Sequence, residues 1–105
     1  MLRLGMALAS VLALSACDPQ ALADKTARNM AQDVVLRVVS IDLQGPTAQA
    51  ATECILNAAD MPEVRMLARD YGVEAGSQTK ENIRNIALRP AAQSCFAGRG
   101  VPQVR

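Results

Sequence analysis

An uninterrupted apolar run near the N-terminus is the strongest constraint on how this 105-residue chain can fold. The run covers residues 4–16, LGMALASVLALSA, and Arg3 is the only charged residue before Asp18. A membrane-spanning helix needs about 20 apolar residues, so this run is too short to span a bilayer. A positive residue, a short apolar stretch and then small residues are typical of an export signal. The rest of the chain has room for one domain.

The apolar run ends in a short motif, Leu14-Ser15-Ala16-Cys17. This motif resembles the lipobox of bacterial lipoproteins, in which Leu and two small residues precede a Cys. The resemblance implies cleavage after Ala16, diacylglycerol on the Cys17 sulfur and acylation of the new N-terminus. It also implies a protein of the bacterial envelope that faces the periplasm, with membrane lipid as a partner through Cys17. In enterobacteria, Asp at the next position, here Asp18, is associated with retention in the inner membrane, and the choice between inner and outer membrane stays open.

A second cleavage site competes with the lipobox. Residues 21–23 read Ala-Leu-Ala, which has the A-x-A form of an ordinary signal-peptidase site. Cleavage after Ala23 would release a soluble protein without Cys17. A Pro-Gln pair separates this site from the apolar run, which favours cleavage after Ala16.

The other two cysteines, Cys54 and Cys95, form a pair once Cys17 carries lipid. The periplasm is oxidising, so we expect a disulfide between them, with two buried free thiols as the alternative. Their spacing of 41 residues fits neither a zinc pattern nor a C-x-x-C redox motif. In the chain-entropy model, closing a loop of this size stabilises the fold by about 4 kcal/mol.

Composition excludes several classes of function. The chain has no His, which removes the commonest general base and the commonest zinc ligand. Removal of Arg3 with the signal peptide leaves ten Lys and Arg residues against ten Asp and Glu residues. This balance favours neither nucleic acid nor anionic lipid as a partner. We therefore expect no catalytic residues, no metal and no cofactor.

The first helix of the mature chain is predicted over residues 18–43. Asp18 is a good N-cap residue, and Pro at the first helical position suits the start of a helix. Apolar residues follow at steps of three and four, from Ala23 to Ile41, as they do on one face of a helix. Residues 39–43 also alternate like a strand. Because no second strand of similar quality exists to pair with them, helix is favoured.

Shorter helices are predicted in the disulfide-closed part, residues 47–98. Thr47 is a plausible N-cap for the first of them, and helical spacing turns Cys54 inward. Asp60 and Glu63 have the form of a capping box, which begins the next helix. The later boundaries are expected at Gly72, at Ser77 or Thr79, and at Pro90, with a tail over 99–105. The predicted fold is all-α: a small orthogonal bundle of four to five short helices, closed by one disulfide and preceded by a signal peptide over residues 1–16.

Four arginines are candidates for binding a partner. Arg65 and Arg69 are four residues apart and share a helix face, and Arg84 and Arg89 do so approximately. If their helices lie side by side, the four would form a basic stripe for an anionic partner or lipid head groups. Solvated helix faces are the alternative interpretation.

Residues 77–80, Ser-Gln-Thr-Lys, match the S-x-x-K motif of penicillin-binding proteins and β-lactamases. In those enzymes a Lys one helical turn away helps to remove the proton of the nucleophilic Ser. The S-D-N and K-T-G elements are missing, and the mature chain is too short for that fold. We interpret these residues as a helix start beside a solvated Lys.

Two functional classes remain open. The first is a non-catalytic helical accessory module, anchored by lipid, that binds an unknown envelope protein. The alternative is a small soluble periplasmic domain that binds a ligand or acts as a His-free enzyme. The mature domain is also similar to small uncharacterised two-cysteine helical lipoproteins of alphaproteobacteria, through its Val-rich first helix, residues 52–55 and Arg89-Pro90 ahead of Cys95. That similarity supports location and fold.

Overall fold

The computed structural model describes residues 18–102. The helices are α1, Pro19–Val39; α2, Gly45–Ala58; α3, Met61–Ala68; α4, Ser77–Ala87; and α5, Pro90–Arg99. The predicted signal peptide and Cys17 lie outside the described residues, as do residues 103–105. Among the described helices, none combines the length and the apolar character needed to cross a bilayer.

Helix α1 begins as predicted but ends earlier. The Asp18 side chain accepts a hydrogen bond from the Gln20 backbone N–H, at 3.0 Å, and Pro19 is the first helical residue. The preference for helix over strand is confirmed as far as Val39, after which residues 40–42 form a turn. Ile41 was expected on the apolar face of the helix, and it is instead 69% exposed because the helix has already ended.

Helix α2 begins before the predicted cap. Gln44, not Thr47, occupies the N-cap position, and Gly45 adopts a left-handed φ of +55°. Pro46 explains the early start, since a residue without an N–H and with a fixed φ suits the first turn of a helix. At the start of α3, the predicted capping box is confirmed: the Glu63 N–H donates to the Asp60 carboxylate and the Asp60 N–H donates to Glu63.

The last two helices differ from prediction at their ends. Gly76, rather than Ser77 or Thr79, is the N-cap of α4, and the Thr79 hydroxyl donates to Asp70 instead. Helix α5 continues to Arg99, inside the predicted tail. Gly100 then adopts a left-handed φ of +70°, and the Val101 N–H donates to the Phe96 carbonyl oxygen. This reversal carries the Val101 side chain into the core, so the unpacked tail begins later than residue 99.

The core lies around α2, which packs against α1, α4 and α5, while α3 packs mainly on α1. The largest fully buried apolar side chains are Phe96, Ile55, Leu67, Ile86 and Val35. Cys54 is 1% exposed and forms a disulfide with Cys95, which joins α2 to α5. The predicted all-α fold of four to five helices with one disulfide is therefore confirmed for the described part of the chain, which has five helices.

Candidate functional site

Two surface grooves follow α1, one near each of its ends. The proximal groove, near the start of α1, has a volume of about 480 Å³ and is lined by Pro19, Leu22, Ala23, Thr26, Ala27, Met30, Arg65 and Ala68. The distal groove has a volume of about 380 Å³ and is lined by Val34, Arg37, Val38, Ile41, the turn over residues 72–75, and Lys80. At 1.5 Å per residue, the 21 residues of α1 extend over about 31 Å. The helix thus separates the two grooves along its length.

The two grooves lie in line because α3 and the turn after it follow α1 in the same direction. Arg65 of α3 donates a hydrogen bond to Asp24 near the start of α1, at 2.7 Å. Further along, the turn over residues 72–75 lies beside Val38 and Ile41 at the end of α1. Arg37, which lines the distal groove, has its Nε 3.1 Å from an oxygen of Asp33, one helical turn earlier.

The distal groove exposes two large apolar side chains to solvent. Ile41 is 69% exposed and Val73 is 58% exposed, and both line the groove. The charged residues that line it are Arg37, Lys80 and Glu74. Apolar and charged residues therefore line the same groove, as they do in many binding surfaces for proteins and small ligands.

Asp70 holds the turn that builds the distal groove. Its carboxylate accepts a hydrogen bond from the Thr79 hydroxyl at 2.5 Å and another from the Gly76 N–H at 3.3 Å. Thr79 is buried in the first turn of α4. These bonds tie the chain after α3 to the start of α4, and so position Val73 beside α1. No local sequence pattern marks Asp70 as an acceptor, because its partner is a Thr nine residues later.

The four candidate arginines do not gather at one groove. Arg65 lines the proximal groove, where it pairs with Asp24. Arg89 lies at a smaller cavity of about 180 Å³, and Arg69 and Arg84 are exposed elsewhere on their elements. Partner binding by these residues stays a prediction, and the positions of Arg65 and Arg89 favour structural ion pairs for these two.

Arg89 and Glu63 form the most complete polar contact among the described residues. Arg89 donates to both carboxylate oxygens of Glu63, at 2.7 and 2.5 Å, and to the carbonyl oxygen of Ala58 at 2.9 Å. The hydrogen bond from Arg89 lowers the pKa of Glu63, against the opposing effect of partial burial. The same bond raises the pKa of Arg89. Because the two charges satisfy each other, the small cavity offers no spare charge to a ligand.

The S-x-x-K residues lie at the start of α4. Ser77 is exposed as the first residue of α4, while Lys80 contributes to the distal groove. Within residues 18–102, no three His, Cys, Asp or Glu side chains lie together in a way that would hold a metal ion.

The distal groove was missed at the level of the sequence. Ile41 was expected to be part of the buried helix face, and Val73 lay in a segment expected to be a loop. The signal that could have found them is the pair of apolar residues, Ile41 and Val73, each within two residues of a glycine, acid or amide typical of turns. Exposed apolar residues mark an interaction surface where they lie together in one patch rather than singly.

Comparisons with known proteins gave no match. No protein-family model matches the chain, and neither the curated proteins nor the solved structures contain a significant match to it.

Proposed function

We propose that this protein is a lipoprotein of the bacterial envelope that binds another envelope protein. In this proposal, acyl chains on Cys17 hold the chain at a membrane, and the helical domain offers the distal groove to its partner. The role is that of a non-catalytic accessory module.

The junction between the lipobox and the fold carries the proposal. Asp18, the residue after Cys17, already caps α1, and Pro19 is its first helical residue. Cleavage after Ala16 leaves this junction intact, whereas cleavage after Ala23 removes the cap and the first turn of the helix. The start of α1 therefore supports Cys17 as the first residue of the mature chain.

Intact mass of the protein extracted from membranes tests the anchor. We expect a chain that begins at Cys17 and carries two or three acyl groups, because two or more chains make membrane attachment stable. Cys17→Ser is the matched control and should yield no acylated chain. An unmodified chain that begins at Asp24 would contradict the proposal.

The distal groove supports the interaction part of the proposal. Its exposed Ile41 and Val73 lie about 31 Å along α1 from the anchored end. A partner that fits it presents an apolar segment, with polar groups that meet Arg37, Lys80 and Glu74 of the lining. Apolar cores with polar rims are general in protein interfaces.

Site-specific photo-crosslinking in living cells tests the groove. A photo-crosslinking amino acid at Ile41 should give a discrete crosslinked product, and the same residue at Leu88 should not. Leu88 is the matched control, since it is 43% exposed but lies outside the grooves. Equal products at both positions, or none at Ile41, would show that the groove has no protein partner.

A small ligand in the distal groove is the second candidate function. The volume of about 380 Å³ lies within the range of roughly 300–1,000 Å³ typical of ligand sites. Lys80 lies beside Val38 in the lining and suits a ligand with an apolar body and an anionic group, whereas Arg37 is already paired with Asp33. Octanoate should then raise the Tm of the Cys17→Ser protein, octanol should not, and Lys80→Ala should weaken the effect. Absence of a shift with octanoate counts against this second function.

A further inference from the structure

We propose that the proximal groove rests on the lipid bilayer, so that the protein is held by a second, non-covalent contact beside its acyl chains. This inference rests on the proposed acylation of Cys17. It adds a surface of the folded domain to the membrane contact, and with it a fixed orientation of the domain.

The first step is the distance between the anchor and the fold. Cys17 is two residues from Pro19, where α1 begins, and consecutive Cα atoms are about 3.8 Å apart. The first helical residue therefore lies within about 8 Å of the acylated residue. No flexible linker separates them, because Asp18 is already engaged as the N-cap. The first turns of α1 must lie at the membrane surface.

The second step is the chemistry of the surface that this places there. Leu22 is 67% exposed, three residues after the start of α1. It lines the proximal groove together with small and apolar residues: Pro19, Ala23, Ala27, Met30 and Ala68. The charged residue in the lining, Arg65, is already paired with Asp24 at 2.7 Å. Transfer of such a mainly apolar surface out of water costs little free energy. It therefore suits the boundary between lipid head groups and acyl chains.

The third step explains why lipid is favoured over a protein at this groove. An anchor holds the first turns of α1 permanently beside the bilayer, so that lipid is present there at high effective concentration. The last residue of α1 that lines the proximal groove is Met30, and Ile41 lies eleven residues further along the chain. A lipid contact confined to the proximal groove therefore leaves Ile41 in solvent.

Tryptophan fluorescence tests the contact, since the natural chain contains no Trp. Three single-Trp variants of the full acylated protein are reconstituted in phosphatidylcholine vesicles: Leu22→Trp, Ile41→Trp and Leu88→Trp. With brominated acyl chains in the bilayer, Trp at position 22 should emit at shorter wavelength and lose most of its emission. Trp at positions 41 and 88 should keep the emission of a solvated indole. Ala23→Trp is the second reporter if the first variant does not fold.

The outcomes separate this inference from the proposed function. If intact mass shows acylation and Trp at positions 22 and 23 is no better quenched than at 88, the bilayer contact is wrong and the anchor stands. A blue shift at position 22 without quenching means that protein, such as a second copy, covers the groove, which also overturns the inference. If no variant is acylated, the proposed anchor fails and the inference fails with it. Strong quenching at 41 would show that the whole of α1 lies on lipid, against both proposals.

Discussion

At the scale of single residues, the Glu63–Arg89 pair joins two turns that are far apart in the chain. Glu63 completes the capping box at the start of α3, and Arg89 is the residue just before α5. Arg89 also donates to the carbonyl oxygen of Ala58 at the end of α2. One guanidinium group therefore connects the ends of three helices. Lys cannot replace it, because its single ammonium nitrogen does not reproduce the planar set of N–H donors of the guanidinium group.

The first prediction concerns the pH dependence of stability. The hydrogen bond from Arg89 lowers the pKa of Glu63 below its ordinary value of 4.5. The ionised carboxylate therefore stabilises the fold above pH 4.5, and this contribution is lost as the pH falls through the lower pKa of the folded state. The Tm of the natural protein should fall more steeply below pH 4.5 than that of Glu63→Gln, which keeps a capping side chain. Equal slopes of Tm against pH for the natural protein and Glu63→Gln, measured by thermal melts, would contradict this prediction.

The second prediction ranks substitutions of Arg89. We expect Tm to decrease from the natural protein to Arg89→Lys and further to Arg89→Ala, because Lys cannot bond both oxygens of Glu63 and Ala58 together. Arg99→Ala removes an exposed pair with Glu53 and is the matched control. Exposed pairs contribute little, so the control should melt close to the natural protein. If Arg99→Ala lowered the Tm more than Arg89→Ala does, the Glu63–Arg89 pair would not be the more stabilising of the two.

At the scale of elements, helix starts were predicted correctly where a cap acts through its immediate neighbours, and were missed elsewhere. Asp18-Pro19 and the Asp60 capping box act through neighbouring backbone N–H groups, so spacing in the sequence is enough to predict them. The end of α1 at Val39 was missed because the apolar spacing continues to Ile41, beyond the helix. The start of α4 was missed because Thr79 bonds Asp70, a contact across the turn that no local pattern specifies.

The third prediction tests the cap of α3, which is only eight residues long. Asp60→Ala removes the side chain that accepts from the Glu63 N–H and should lower the free energy of unfolding by about 1 kcal/mol. Asp60→Asn is the matched control and should lose little, since Asn is an equally good N-cap. Chemical denaturation followed by circular dichroism measures both. Equal losses in the two variants would point to the charge of Asp60 rather than to its hydrogen bond.

At the scale of the whole molecule, the disulfide was predictable and the grooves were not. Cys54 and Cys95 are the pair that remains if Cys17 carries lipid, and their inward positions follow from helical spacing. The grooves depend on α3 lying along α1 in the same direction, with the turn over residues 72–75 beside the end of α1. That arrangement depends on packing between segments that are distant in the chain. Neither composition nor hydrophobic periodicity is enough to predict it.

The fourth prediction concerns the disulfide. The Cys54→Ala, Cys95→Ala double variant should lose about 4 kcal/mol of stability, because the unfolded chain regains the freedom of the loop. For a domain of this size the loss corresponds to a fall in Tm of about 15 °C or more. A reducing agent should lower the Tm of the natural protein similarly and leave the double variant unchanged. A natural protein that melts equally with and without reductant would overturn the expected stabilisation.

The position of the disulfide also decides how the molecule would respond to a pulling force. Helix α1 lies outside the covalent loop between Cys54 and Cys95, and it is held to the bundle by packing and by exposed polar contacts such as Arg28–Asn57. If a partner in the distal groove pulls while the membrane holds residue 17, the load runs lengthwise through α1 and the neighbouring α3. The helix would have to slide along its neighbour rather than peel from it. A force applied between residue 17 and the distal groove would therefore act first on the contact between α1 and α3. The part of the chain between Cys54 and Cys95 would unfold last.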